Sequence, residues 1–481
     1  MKTRNKLING AAFINGEQVL GKKTFDVVNP ATGEAVISVT DLAAKDIEQA
    51  IDAAEVAWIP WKTTPVAERS TILKKWYDLL IKHAEEIAEI ITVESGKPLE
   101  ESRIEVNYGA SFVNWFAEET SRAYGDQIPS PTNGKQLITL RQSIGVSAAI
   151  TPWNFPLAMV TRKVAPALAA GCTVILKPAS QTPLTAIAIA HLATIAGLPK
   201  GVLNVVTGKD SARIGKLLCT SPTIRKISFT GSTAVGKTLM QQAASTIKKV
   251  SLELGGNAPF IVFDDANIKS AVKGAIASKF RNSGQTCVAV NRFLVQDAVY
   301  ETFATQITKA VADLKVGNGL DKGVEVGPLI NENGLKKVED HVKDAVQKGA
   351  IILTGGKAIA NLFFEPTVLS EVPLNAKIAH EETFGPVVSL FRFKTEEEAI
   401  RLANQTEFGL AAYFYSENVK RCWRVAEALE AGMVGINEGA ISTAVAPFGG
   451  IKESGLGREG SKYGLEEYME IKYLCFGVGE G

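Results

Sequence analysis

Ile144-Gly145-Val146-Ser147-Ala148-Ala149-Ile150-Thr151-Pro152-Trp153-Asn154-Phe155-Pro156 is the stretch from which the fold is read. An apolar run ends in two prolines that bracket a Trp-Asn-Phe turn, which predicts a buried strand stopping at a rigid connection. Similar runs recur at 173–176, 202–206, 224–229, 249–252 and 260–263, separated by turn residues and helical stretches. Strands buried on both faces read as continuous apolar runs, and strand–turn–helix alternation predicts a doubly wound, Rossmann-like α/β sheet.

Upstream, residues 41–58 and 66–93 carry apolar positions at helical spacing (Ile72, Leu73, Trp76, Leu79, Leu80 and His83 in the second), which predicts two amphipathic helices covering the sheet. Downstream, runs at 292–295, 351–353, 387–391 and 433–436 predict a second α/β domain. Residues 123–142, with Gly125, Pro129, Pro131 and Gly134, interrupt the helical run as an extended excursion. The strand 471–476 is its expected partner, or that of a neighbouring subunit. The expected division is 1–122 with 143–253 as a dinucleotide-binding domain, 254–432 as a catalytic domain and 433–461 as a return segment. Residues 123–142 and 462–481 then form a small β oligomerisation element.

The 481 residues exceed one ordinary core. With 52 basic and 51 acidic side chains there is no general field for nucleic acid or an anionic membrane. The basic start Met1-Lys2-Thr3-Arg4-Asn5-Lys6 is not followed by an apolar core, so no signal peptide is expected, and no apolar run reaches membrane-spanning length. Five dispersed cysteines without a CxxC pair suit a reducing cytoplasm, and four histidines without ligand spacing argue against a metal site.

Two glycine motifs compete for phosphate. Gly455-Leu456-Gly457-Arg458-Glu459-Gly460 matches GxGxxG but lacks a preceding buried strand, and only 21 residues follow it; it is read as a turn. Gly231-Ser232-Thr233-Ala234-Val235-Gly236-Lys237-Thr238 satisfies GxxxxGK[ST] after a candidate strand, and Asp264 resembles the acid of a nucleotide hydrolase. Either way a helix N-terminus with small residues is positioned for phosphate.

Gly284-Gln285-Thr286-Cys287 places a thiol on a connection among small neighbours, where a nearby cation would favour thiolate. Cys172, Cys219, Cys422 and Cys475 are read as ordinary small hydrophobes. Glu253 ends an apolar strand beside Gly255 and Gly256, where burial raises a carboxyl toward general-base duty. Asn154, held between prolines, is a neutral donor suited to an oxyanion.

The ordered motifs PWNFP (152–156), KPAS (177–180), FTGS (229–232), LELGG (252–256), GQTC (284–287) and EETFGP (381–386) resemble the aldehyde dehydrogenase superfamily over nearly the whole chain. Residues 457–464 and Thr161-Arg162-Lys163 resemble its NADP-type succinate-semialdehyde dehydrogenase branch. The resemblance implies oxidation of succinate semialdehyde to succinate, with Cys287 as nucleophile, Asn154 and the Cys287 N–H as oxyanion donors and Glu253 as base. A thiohemiacetal and a thioester are the implied intermediates. It assigns Gly231 and Ser232 to the cofactor pyrophosphate and leaves Lys237 incidental. It also assigns Trp153, Asn154, Lys177, Pro178, Ala179, Ser180, Leu254, Glu382 and Phe384 to the cofactor. No metal is implied, and homodimers or homotetramers are expected. A phosphoryl-transfer enzyme and a binding module without catalysis are the alternatives that the motif set disfavours.

Within the resemblance, Ser180 replaces the acid that would repel a 2′-phosphate, so NADP is preferred and NAD remains usable. Arg162, Arg281 and Ser442 match positions lining the substrate funnel, which implies an aldehyde with a distal carboxylate: succinate semialdehyde, with glutarate semialdehyde the near rival. Ala289 stands where some relatives carry a second cysteine, so no local disulfide switch is expected.

Overall fold

The structure is a computed structural model that describes residues 5–479; Met1–Arg4 of the basic start, and residues 480 and 481, lie outside them. Five parallel strands form the centre of the first sheet, in the spatial order Leu203–Val205, Thr173–Lys177, Val146–Ile150, Ile224–Thr230, Lys249–Glu253. Numbered along the chain this is 3-2-1-4-5, the doubly wound order, with its switch point between Val146–Ile150 and Ile224–Thr230. Short antiparallel strands close both edges: Ala12–Ile14 with Glu17–Val19 on one side and Gly455–Leu456 on the other.

Helices cover this sheet as the periodicity predicts, with one difference. The expected helix over 66–93 is two helices, Val66–Lys82 and Ala84–Ser95, because His83 leaves helical geometry at φ −103° and ψ 23°. Every residue of Ala158–Ala170 is buried. Small residues let neighbours approach it: a Cβ on Gly109 of the helix Leu99–Glu119 would overlap Leu157. The helix Pro183–Ile195 is closed at its N-terminus by the buried Glu94, which accepts N–H bonds from Leu184 at 2.8 Å and Thr185 at 3.0 Å.

The second sheet runs Ile351–Thr354, Thr367–Ser370, Val387–Phe393, Val290–Gln296, Ala258–Val262, Ala411–Tyr415, Met433–Ile436, parallel except at its first pair. Its core stacks Phe260 on Tyr415 and against Phe293, with ring centroids 5.1 and 5.3 Å apart. A third, antiparallel sheet joins Gln127–Ile128, Lys135–Ser143 and Met469–Gly477. The last strand pairs along its whole length, from Met469 opposite Ser143 to Gly477 opposite Lys135. Among the described residues no helix is long and apolar enough to cross a membrane.

This topology positions the site. Pro152–Asn154 follow the first strand at the switch point, Gly231 and Ser232 follow the second, and Leu254 and Gly255 follow the next strand out. The second sheet contributes residues that precede its strands: Cys287 before Val290–Gln296, and Glu382 with Phe384 before Val387–Phe393.

Candidate active site

Cys287 lies between the short 3₁₀ turn Arg281–Gly284 and the strand Val290–Gln296. Asn282 and Ser283 in that turn have φ of 51° and 57°, a region costly for L side chains, so the turn must be held from outside. The Asn282 N–H donates to Glu101 Oε2 at 2.6 Å and Ser283 Oγ donates to the Gly327 carbonyl at 2.9 Å. Gln285 Nε2 donates to the carbonyls of Asn282 and Pro328, both at 3.2 Å.

Burial pushes the Cys287 thiol up to about 12; Arg162 and Arg281 oppose this, while Glu382 and Glu253 add to it. The cations expected beside the sulfur are present, but burial outweighs them. Burial therefore favours the thiol form of Cys287 over the thiolate.

Glu253 ends the strand Lys249–Glu253, buried, and neither carboxyl oxygen has a hydrogen-bond partner. Burial holds it well above the ordinary carboxylate range, the nearby Glu459 carboxylate adds to this, and Arg162 and Lys163 oppose. Glu459 is tied to both of those cations: Arg162 Nε lies 2.7 Å from its Oε2, and Lys163 Nζ pairs with its Oε1. The Arg162 guanidinium stacks 3.8 Å from the Phe448 ring centroid, and its buried Nη2 has no hydrogen-bond partner.

Asn154 is buried, and its Nδ2 donates to the Gln285 carbonyl at 3.0 Å, which ties the Pro152–Pro156 turn to the cysteine loop. An amide nitrogen carries two N–H groups, so one remains for a ligand. Asn154 and Cys287 both line a cavity of about 470 Å³, with Trp153, Gly231, Ser232, Leu254, Glu382 and Phe384. Trp153 and Phe384 meet edge to face at 5.6 Å, with Phe384 at φ 56°. Burial pushes Glu382 up to about 7; the Gly256 N–H, donating to its Oε1 at 3.2 Å, opposes this, as do Lys337 and Lys279.

The helix Thr233–Ala243 opens at this cavity, with Ser232 Oγ accepting the Val235 N–H at 3.4 Å. A Cβ on Gly231 would overlap the Phe229 ring, so this backbone is kept bare where it faces the cavity. The nucleotide-hydrolase reading finds no support: Lys237 Nζ is 2.7 Å from Glu453 Oε2, and Asp264 Oδ1 is 2.9 Å from Arg421 Nη1. The Gly455–Gly460 motif, expected to be a turn, instead begins as an edge strand: Gly455–Leu456 pairs antiparallel with Leu252 and Glu253.

The profile of the aldehyde dehydrogenase family matches residues 16–474. The chain belongs to the aldehyde dehydrogenase family. It is 57% identical over 478 residues to the NADP(+) succinate-semialdehyde dehydrogenase of Escherichia coli (strain K12), covering 98% of this chain and 99% of that one. It is 56% identical to a glutarate-semialdehyde dehydrogenase of Pseudomonas putida (strain KT2440), covering 98% and 99%. The crystal structure of a succinate-semialdehyde dehydrogenase from Burkholderia pseudomallei superposes with a TM-score of 0.98 at 55% identity, covering 99% of this chain and all of that one.

In this aldehyde dehydrogenase several expected site residues, Glu253 and Arg162 among them, stand outside the cavity lining. Lys177 is buried at the end of Thr173–Lys177, its Nζ donating to Ser211 Oγ at 2.7 Å, and burial lowers it to about 8. Pro178, Ala179 and Ser180 follow at that strand end, Ser180 Oγ donating to Gln181 Oε1 at 3.3 Å. Arg281 lies 5.0 Å from the Phe155 ring centroid, and Ser442 is half-buried after the strand Met433–Ile436. The structure also brings in side chains that the sequence did not single out: Met159, Thr383, Gln285, Asn331, Asn333 and Lys337 in the lining, and Glu459 beside Glu253. Glu459 was visible only as one letter of a glycine-rich turn.

Proposed function

We propose that this aldehyde dehydrogenase oxidises succinate semialdehyde to succinate with NADP(+) preferred over NAD(+). The observation that carries the substrate class is the Arg162 guanidinium: buried near the thiol, ion-paired with Glu459, with Nε and Nη2 both lacking a hydrogen-bond partner. A buried cationic N–H without an acceptor is costly, and a substrate carboxylate is the ligand that satisfies it. Arg281 and Ser442 are assigned to the same carboxylate. The 55–57% identity to succinate-semialdehyde dehydrogenases supports this reading. The P. putida relative supports glutarate semialdehyde as the alternative substrate.

The lining fits a dinucleotide. Gly231 and Ser232 at the helix N-terminus would hold the pyrophosphate. Lys177 and the Pro178-Ala179-Ser180 segment would hold the adenosine ribose with its 2′-phosphate. Trp153, Leu254, Glu382 and Phe384 would hold the nicotinamide end. When bound, the nicotinamide supplies the hydride acceptor.

The chain's own residues do the rest. The Cys287 sulfur, once deprotonated, bonds to the aldehyde carbon, and the carbonyl electron pair moves onto oxygen. The free Asn154 amide N–H and the Cys287 N–H hold that oxyanion. After oxidation to the thioester, Glu253 takes a proton from water whose oxygen adds to the acyl carbon. The acid departs and the thiolate returns.

The reading includes the division at 122, 143, 254, 433 and 462 into cofactor, catalytic and bridging parts. It also includes assembly as homodimers or homotetramers and work in the cytoplasm, which five unpaired cysteines suit. Steady-state kinetics with succinate, glutarate and uncharged short semialdehydes or aldehydes, each with NADP(+) and NAD(+), tests it. The expected result is the highest kcat/KM for succinate semialdehyde with NADP(+). Arg162→Ala is expected to raise KM for succinate semialdehyde on the order of tenfold or more while moving propanal little. Equal effects on both aldehydes overturn the clamp.

A further inference from the structure

Lys97 and Glu105 form an ion pair in which neither side chain is exposed, and the mechanism above uses neither. Lys97 leaves the turn at Gly96, which sits at φ 80° wedged between Pro30 and Pro328, so the direction of Lys97 is fixed by packing. Glu105, on the helix Leu99–Glu119, accepts the Leu157 N–H at 2.9 Å and the Ala158 N–H at 3.2 Å on Oε1, and pairs with Lys97 through Oε2. Lys97 Nζ then donates to the backbone carbonyl of Asn154 at 2.7 Å and lies 3.9 Å from the Phe155 ring centroid.

That carbonyl belongs to an irregular turn with no strand ladder to fix it. Its second donor is Asn282 Nδ2 at 3.1 Å, which also donates to the Gln285 carbonyl at 3.3 Å, the same oxygen that accepts Asn154 Nδ2 at 3.0 Å. The two walls of the site therefore meet on Asn154: Lys97 grips its backbone and the cysteine loop grips its side chain. A buried ion pair is a poor stabilising device, since well-packed apolar groups of equal volume serve as well or better. What this pair supplies that apolar groups cannot is a directed donor on one carbonyl.

We propose that Lys97, held by Glu105, is a positioning residue that aims the Asn154 amide at the oxyanion. The inference rests on the reading of Asn154 as the oxyanion donor. Burial lowers the Lys97 ammonium, and the Glu105 and Glu101 carboxylates oppose that.

The test uses the volume-matched double variant Lys97→Met/Glu105→Gln, with Lys97→Arg as the conservative rescue. Two rates are compared: NADP(+)-dependent oxidation of succinate semialdehyde, and alkylation of Cys287 by iodoacetamide, which displaces iodide without forming an oxyanion on the attacked carbon. The expected result is a fall in kcat on the order of tenfold to a hundredfold in the double variant, part of it recovered by Lys97→Arg. KM for NADP(+) and the alkylation rate should stay within about a factor of two, well inside a tenfold effect. An unchanged kcat, or alkylation falling in step with kcat, overturns the proposal. If the double variant does not fold, Asn282→Asp, which removes the other donor on the same carbonyl, is read by the same two rates. Asn154→Ala in both assays separates the layers. If it too leaves kcat unchanged, the oxyanion assignment fails. If it slows oxidation and the Lys97 variants do not, only the present inference fails.

Discussion

At the scale of single residues, charge placement decides chemistry. Glu253 and Glu459 are buried close together, and Arg162 and Lys163, with Arg458 also acting on Glu253, oppose the cost of two acids in one apolar site. The carboxylate form of Glu253 is the proposed base, and its raised pKa moves the onset of water activation to higher pH than an ordinary carboxylate would give. Glu459→Gln removes the neighbouring negative charge and leaves both cations to favour the Glu253 carboxylate. The ascending limb of the kcat profile should therefore move to lower pH; a limb that stays or moves upward contradicts this arrangement. Ser180→Glu should reverse cofactor preference, lowering kcat/KM for NADP(+) on the order of tenfold or more while sparing NAD(+), because a carboxylate beside a 2′-phosphate repels it. Much of this scale was legible in the sequence. Cys287, Glu253 and Asn154 were found because each is a chemically informative residue at a strand end or turn. Lys97, Glu105 and Glu459 were not, because a charged residue in a helix or loop reads as solvated until packing shows it buried.

At the scale of elements, buried carboxylates act as helix caps. Glu94 closes the N-terminus of Pro183–Ile195 and Glu105 that of Ala158–Ala170, each from a different helix and far away in sequence. Replacing Glu94 with Ala leaves buried N–H groups of Leu184 and Thr185 without acceptors. Thermal or urea unfolding should show a loss of about 1–2 kcal/mol. No change in midpoint would mean that water replaces the carboxylate. The strands read from apolar runs lie within two residues of their observed bounds, since strands buried on both faces leave that signature, but Thr367–Ser370 and Ala411–Tyr415 of the second sheet were not singled out. The break at His83 was not, because the apolar spacing continues across it while the backbone does not.

At the scale of the whole molecule, the site is a product of topology. The first sheet supplies residues after its strands and the second supplies residues before its strands, and the cavity of about 470 Å³ lies where those ends meet. The third sheet has a different bearing. Its last strand presents Ile471 and Tyr473 at 67% and 57% exposure, an apolar row on an extended edge of the kind that another subunit covers. Ile471→Glu should shift the chain toward monomer by light scattering while leaving its secondary structure intact; unchanged mass would remove this strand from the interface. The sequence by itself determined the α/β class and pointed to Cys287, Glu253, Asn154 and the helix start at Gly231 and Ser232 as the candidate site, because local chemistry and hydrophobic periodicity carry those. Only the tertiary structure decided that Arg162 shares its charge with Glu459, that burial raises the Cys287 thiol, and that Lys97 holds the Asn154 carbonyl. Each depends on which distant side chains share one dry volume, and desolvation acts only after the chain has closed around them.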